Sequence, residues 1–129
     1  MINIDYYMQE ACGIFAVAYA RLAGLKIMIL SDDYGQPFNQ HYKYEITHVV
    51  VPLSATEFVD IKGVRPLHNI TEDFNLEIAY SLKGPFEPSE FKKKFMGNSD
   101  RFPLYGVEKD IKEATGIIRA NPSYYGLVQ

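Results

Sequence analysis

Three side chains in this sequence could together perform nucleophilic catalysis: Cys12, His48 and Asp60. The reactive form of cysteine is the thiolate, and a helix amino terminus favours it through unpaired N–H groups and the helix dipole. A neighbouring imidazole lowers the thiol pKa further, from about 8.5 towards neutral or below in paired sites. A carboxylate on the other ring nitrogen fixes the tautomer and supports the imidazolium. Taken alone, Cys12 reads more readily as an inert core residue than as a reactive thiol, because free cysteine is among the most buried residue types. His48 shifts the balance, since a polar ring inside an apolar strand needs a partner.

The elements around these residues must bring them together. Residues Gln9 to Ala23 have the pattern of a helix, with Phe15, Tyr19 and Leu22 spaced by four and three and Gly24 at its end. Cys12 then falls near the start of that helix. The run Lys26 to Leu30 suits a buried strand, and Asp33 to Gln40, with Gly35, Pro37 and Asn39, reads as loop. Glu45 to Ile61 has the form of a β-hairpin. One arm is rich in Ile46, Thr47, Val49, Val50 and Val51, the other is Glu57 to Ile61, and Leu53-Ser54-Ala55 lies between them. Side chains alternate along a strand, so His48 and Val50 share one face while Thr47, Val49 and Val51 share the other. A hairpin centred on Ser54 sets position 49 opposite 59 and His48 directly opposite Asp60, within cross-strand reach. A one-residue slip would put Val59 or Ile61 opposite His48 instead.

Gly63 and Pro66 are expected to close the second arm. Between Asn69 and Ser81 the apolar residues Leu76, Ile78 and Ala79 fit neither a helical nor a strand period. Pro88-Ser89-Glu90 opens a short helix that ends near Gly97, with Phe91, Phe95 and Met96 inward and Lys92-Lys93-Lys94 on its solvated side. A last helix runs from about Val107 to Arg119, burying Val107, Ile111, Ala114 and Ile118, with Asn121-Pro122 as its stop. The order of elements predicts a single α+β domain over residues 1–129 with an antiparallel sheet.

Composition narrows the possible functions. At 129 residues and 47% hydrophobic, the chain can build its own core without a disulfide or metal. One cysteine excludes an intramolecular disulfide and any multi-cysteine zinc site. The net charge of −3 argues against nucleic acid as the ligand. No apolar run approaches the ~20 residues that span a bilayer, so no membrane partner is expected. Asp5 and Glu10 interrupt the amino-terminal segment, which does not look like a secretory signal, and a cytoplasmic location is expected. His41, in or beside the loop, and His68, after Pro66, are poorer bases than His48 for want of a clear carboxylate partner. The histidines leave a His/Asp metal site open, although no paired-ligand spacing such as HExxH occurs; neither metal nor cofactor is expected.

A cysteine opening a helix, a histidine on a strand and a polar residue on the next strand follow the chain order of the papain-like superfamily. Ala11-Cys12-Gly13-Ile14-Phe15-Ala16 resembles the nucleophile helix of its compact members, and His48-Val49-Val50-Val51 with Phe58-Val59-Asp60-Ile61 resembles their histidine hairpin. Similar arrangements occur in NlpC-type cell-wall peptidases, transglutaminase-like proteins and small phage or bacterial proteins. The resemblance covers about residues 9 to 63. It implies a nucleophile helix packed on a small antiparallel sheet, with Cys12 as nucleophile, His48 as general base and acid, and Asp60 as orienting residue. The backbone N–H of Cys12 would then be an oxyanion donor. Gln9 stands closer to the cysteine than the papain glutamine does, and Tyr6 or Tyr7 could take that part. The implied reaction is hydrolysis or acyl transfer at an amide bond of a peptide, protein or peptidoglycan-like substrate. The alternative is a non-catalytic binding protein, such as a phage or bacterial interaction or counter-defence factor, that keeps the fold.

Overall fold

A computed structural model of the chain describes residues 3–9, 11–33, 46–76, 79–96 and 107–127. Its centre is a helix that is apolar on every side. In α2 (Cys12–Ala23) all residues from Cys12 to Ala20 are buried, as expected of a helix with no polar stripe. Gly13, Ala16, Ala18 and Ala20 keep it thin, so neighbours approach on all sides. The helix ends at Gly24, whose φ of 69° is the left-handed conformation that lets its N–H return to the Ala20 carbonyl.

One flank of α2 meets the sheet. β1 (Ile27–Asp32), β2 (His48–Pro52), β3 (Glu57–Asp60), β4 (Gly63–Pro66) and β5 (Tyr80–Phe86) form a five-stranded antiparallel sheet in the order β4-β3-β2-β1-β5. Ile27, Ile29, Val49, Val51 and Val59 join the core around α2. Leu30, Val50 and Phe58 form a second core on the opposite face, closed by Ile70 of α3 (Leu67–Asp73) and by Leu76. Both faces are covered, which explains why β2 reads as an uninterrupted apolar run. The other flanks of α2 meet α1 (Ile4–Gln9), α4 (Pro88–Phe95) and α5 (Val107–Ala120), the last through Ile111, Ala114 and Ile118. Glu87 and Glu90 form a reciprocal capping box at the start of α4, with Pro88 in its first turn.

The α+β class with an antiparallel sheet is as expected; four local expectations need correction. The first helix is two helices rather than one from Gln9. Ala11, at φ −114° and ψ 23°, leaves the helical region, and its N–H bonds the Tyr6 carbonyl at 2.8 Å. β1 extends beyond Leu30, because Ser31 and Asp32 pair with Ser81 and Tyr80. Gly63 to Pro66 is a strand in its own right. The ambiguous stretch from Asn69 divides into the end of α3 and the start of β5, separated by Asn75 at φ 58°. Residues 34–40 of the expected loop, Glu45, His41, Ile78, Gly97 and the side chain of Val107 lie outside the described residues.

Candidate functional site

The β2–β3 hairpin carries two of the three candidate residues, and its turn is set by Ser54. The Ser54 hydroxyl accepts the N–H groups of Thr56 and Glu57 at 3.2 and 3.1 Å, while Leu53 N–H reaches the Glu57 carbonyl at 2.9 Å. This local turn centres the hairpin on Ala55, and the observed register is Val51 opposite Val59 and Pro52 opposite Phe58. The expected pairing of His48 with Asp60 is therefore wrong by two positions, which places Asp60 level with Val50. A shift of two preserves the facing of every side chain, so His48 and Asp60 still lie on one face as diagonal neighbours. The ladder stops before either residue; their side chains make the connection.

That connection is direct. His48 Nε2 lies 3.0 Å from Asp60 Oδ2, and both side chains are buried. His48 is 0%, Asp60 1% and Cys12 1% exposed, so all three groups lie in the interior. Burial by itself would push the imidazole towards neutrality. Hydrogen bonding to Asp60 and to Cys12, together with the negative charge of both partners, overcomes it and raises the ring from 6.5 to about 9. Nε2 is the nitrogen committed to the carboxylate. The His48 ring also packs on Phe74, with centroids 4.7 Å apart. Cys12 is the first residue of α2, and Ala11, the residue before it, makes no side-chain cap. The first N–H groups of any α-helix point out of its start rather than to acceptors within it.

Asp60 is more than the partner of His48. Its Oδ1 accepts the Lys62 N–H at 2.9 Å, and its Oδ2 accepts Arg65 Nη2 at 2.7 Å as well as His48. Burial opposes its ionisation, but hydrogen bonding and charge from His48 and Arg65 hold the carboxyl below the usual aspartate range. The tight β3–β4 connection makes this possible. Asp60 pairs with Gly63 and Phe58 with Arg65, so Arg65 sits diagonally across from Asp60, with no intervening side chain at Gly63. Gly63 has φ 104°, and a Cβ there would stand 3.1 Å from the Tyr124 carbonyl oxygen. The carboxy-terminal segment braces the same turn: Tyr125 Oη donates to the Ile61 carbonyl at 2.9 Å, and Tyr19 Oη of α2 donates to the Tyr125 carbonyl.

Arg65 is the residue that the sequence reading missed. Its signal was Gly63: read as a positive-φ turn residue rather than a strand terminator, it places Arg65 on the face of Asp60. Of the oxyanion candidates, Gln9 ends α1 and its side chain lies outside the described residues. Tyr7 is buried, packs on Phe15, and keeps its proton, its hydroxyl pushed up to about 12 by burial and the charge of Glu113. Tyr6 gives its carbonyl to Ala11. His68 is exposed on α3, unlike the three buried groups. Among the described residues, no three His, Cys, Asp or Glu side chains gather where they could hold a metal, and no helix is long and apolar enough to cross a membrane.

Known families, curated proteins and solved structures supply no match to this chain. The chemistry must be read from the residues alone. A thiol at a helix start, an imidazole held protonated and an ionised carboxylate on the remote ring nitrogen form a set able to activate sulfur and pass one proton. A surface cavity between α2 and α5, about 370 Å³ and lined by Arg21, Glu108 and Lys112 among others, includes none of the three.

Proposed function

We propose that the protein is a papain-like, thiol-dependent hydrolase or acyltransferase acting on an amide or peptide bond. Cys12 attacks the carbonyl carbon to form a tetrahedral intermediate. His48 transfers a proton to the leaving amine as the carbon–nitrogen bond breaks, leaving a thioester on Cys12. Water, deprotonated by His48, then releases an acid; an amine in its place gives transfer. Asp60 holds the ring so that Nδ1 serves the sulfur, and the Cys12 N–H is the nearest candidate donor for the developing oxyanion. The observation that supports this most is the imidazole engaged by Asp60 through Nε2 while Cys12 also acts to keep it protonated.

Burial supports a second reading. Cys12 at 1% and His48 at 0% exposure are as expected of a structural core pair in a binding protein. Iodoacetamide labelling of Cys12 separates the two. A free thiol with a pKa of about 8.5 is only about 1% ionised at pH 6.5, so an activated Cys12 should react there roughly a hundredfold faster than in His48→Ala. Labelling that is slow and independent of His48 from pH 5 to 9 rejects the enzyme. Labelling that passes this test leads to a panel of peptide, isopeptide and muropeptide substrates.

A further inference from the structure

We propose that Arg65 is a positioning residue of this site, which sets the protonation balance of His48 by competing for the carboxylate oxygen that the imidazole uses. Its functional meaning rests on the thiol-enzyme reading above; the competition itself does not.

The geometry is specific. Asp60 Oδ2 receives both Arg65 Nη2 at 2.7 Å and His48 Nε2 at 3.0 Å, so two cationic groups share one oxygen. A guanidinium stays charged at every accessible pH, whereas an imidazole does not. Arg65 therefore keeps Asp60 ionised, and at the same time acts on His48 as a nearby like charge. Its own position is fixed from the far side. Arg65 Nη1 donates to Asp73 Oδ2 at 2.8 Å, and Lys62 Nζ reaches the same oxygen at 3.2 Å. Asp73 thus draws part of the guanidinium charge towards α3 and away from Asp60. The side chain of Arg65 is only 15% exposed and that of Asp73 26%, so water screens this arrangement incompletely.

The charged groups that bear on His48 can be named element by element among the described residues. α2 contributes Cys12 and β3 contributes Asp60. β1 sets Leu30 opposite it, and the residue after α3 contributes the Phe74 ring; neither titrates. Arg65 of β4, Asp73 of α3 and Lys62 act through Asp60, and the buried Tyr125 hydroxyl keeps its proton, pushed up to about 12.

Two substitutions should move the His48 titration in opposite directions. Arg65→Gln removes the competing cation and raises the midpoint; Asp73→Asn frees Arg65 for Asp60 and lowers it. Shifts on the order of one pH unit for the first and less for the second are expected. The experiment follows the His48 ring by NMR across pH in the full chain, with Arg65→Lys as the charge-conserving control that keeps the wild-type direction. A purely structural Arg65 would reduce thermal stability without ordered shifts of opposite sign. If Arg65→Gln does not fold, the partly exposed Asp73→Asn decides alone: a midpoint that stays or rises overturns the proposal. Cys12 labelling on the same samples tests the enzyme reading separately, because the His48 titration does not depend on turnover.

Discussion

Replacing Asp60 with Asn should reverse the pH dependence of stability, and the reversal can be sized from the site. His48 is raised from 6.5 to about 9 in the folded protein, a difference of about 2.5 units, or about 3 kcal/mol at about 1.36 kcal/mol per unit. A raised histidine contributes stability that is full below pH 6.5 and is lost as pH rises through about 9. In Asp60→Asn the ring loses its main hydrogen-bond partner and its nearest carboxylate, while burial and the Arg65 cation remain. Burial, the largest single influence on the ring, and Arg65 then outweigh what Cys12 still supplies, so the folded pKa falls below 6.5 and stability is instead lost on acidification through that value. At pH 7 the variant should be weaker by about 3–5 kcal/mol, the usual consequence of leaving buried partners of an ion pair uncompensated. Urea denaturation of both proteins at pH 5.5, 7 and 9 measures this, and groups that titrate alike in the two cancel in the difference. A variant that still loses about 3 kcal/mol between pH 6.5 and 9 would refute the assignment of Asp60 as the group that holds His48 charged.

Three further outcomes follow from the framework that carries the site. Gly63→Ala should destabilise the protein by roughly 1–3 kcal/mol in urea, since φ 104° is strained for a side chain and the Tyr124 carbonyl stands 3.1 Å from the new Cβ. Gly116→Ala, in α5 with nothing within 4 Å of its Cβ position, should stabilise by about 0.5–1 kcal/mol and serves as the contrasting control. Tyr125→Phe removes the 2.9 Å hydrogen bond to the Ile61 carbonyl and should reduce stability by about 1 kcal/mol or somewhat more by thermal melting.

Period and parity carried the sequence reading furthest. Alternation placed His48 and Asp60 on one face, and because a sheet repeats every two residues, that conclusion survived a pairing error of two. The error itself came from the Ser54 hydroxyl, whose bonds to the next amides move the turn to Ala55 and which has no signature in hydrophobic pattern. The split of the first helix was hidden for a similar reason. Ala11 is a good helix former whose φ of −114° is imposed by tertiary context rather than by its own preference. Arg65 was missed because its role depends on a two-residue turn and a diagonal reach, neither of which is a property of Arg65 in isolation.

The burial of the site bears on which functional reading is stronger. Leu30, Val50, Phe58, Ile70 and Leu76 already form an apolar core on the sheet face that His48 and Asp60 share. Apolar residues in place of a buried ion pair are often as stable or more so, so stability alone gives weak grounds for charges there. The groups also alternate in sign from the interior outwards: Cys12, which favours the imidazolium, then His48, Asp60, Arg65, Asp73 and Lys62, the last of them 38% exposed. Each charge is compensated by its neighbour and the series ends at water, which is how an imidazolium can persist beside a thiol at no exposure. A merely packed cysteine needs no such series; a thiol that must give up its proton to a buried ring does. That need, rather than the identity of the three residues alone, weighs towards chemistry at Cys12.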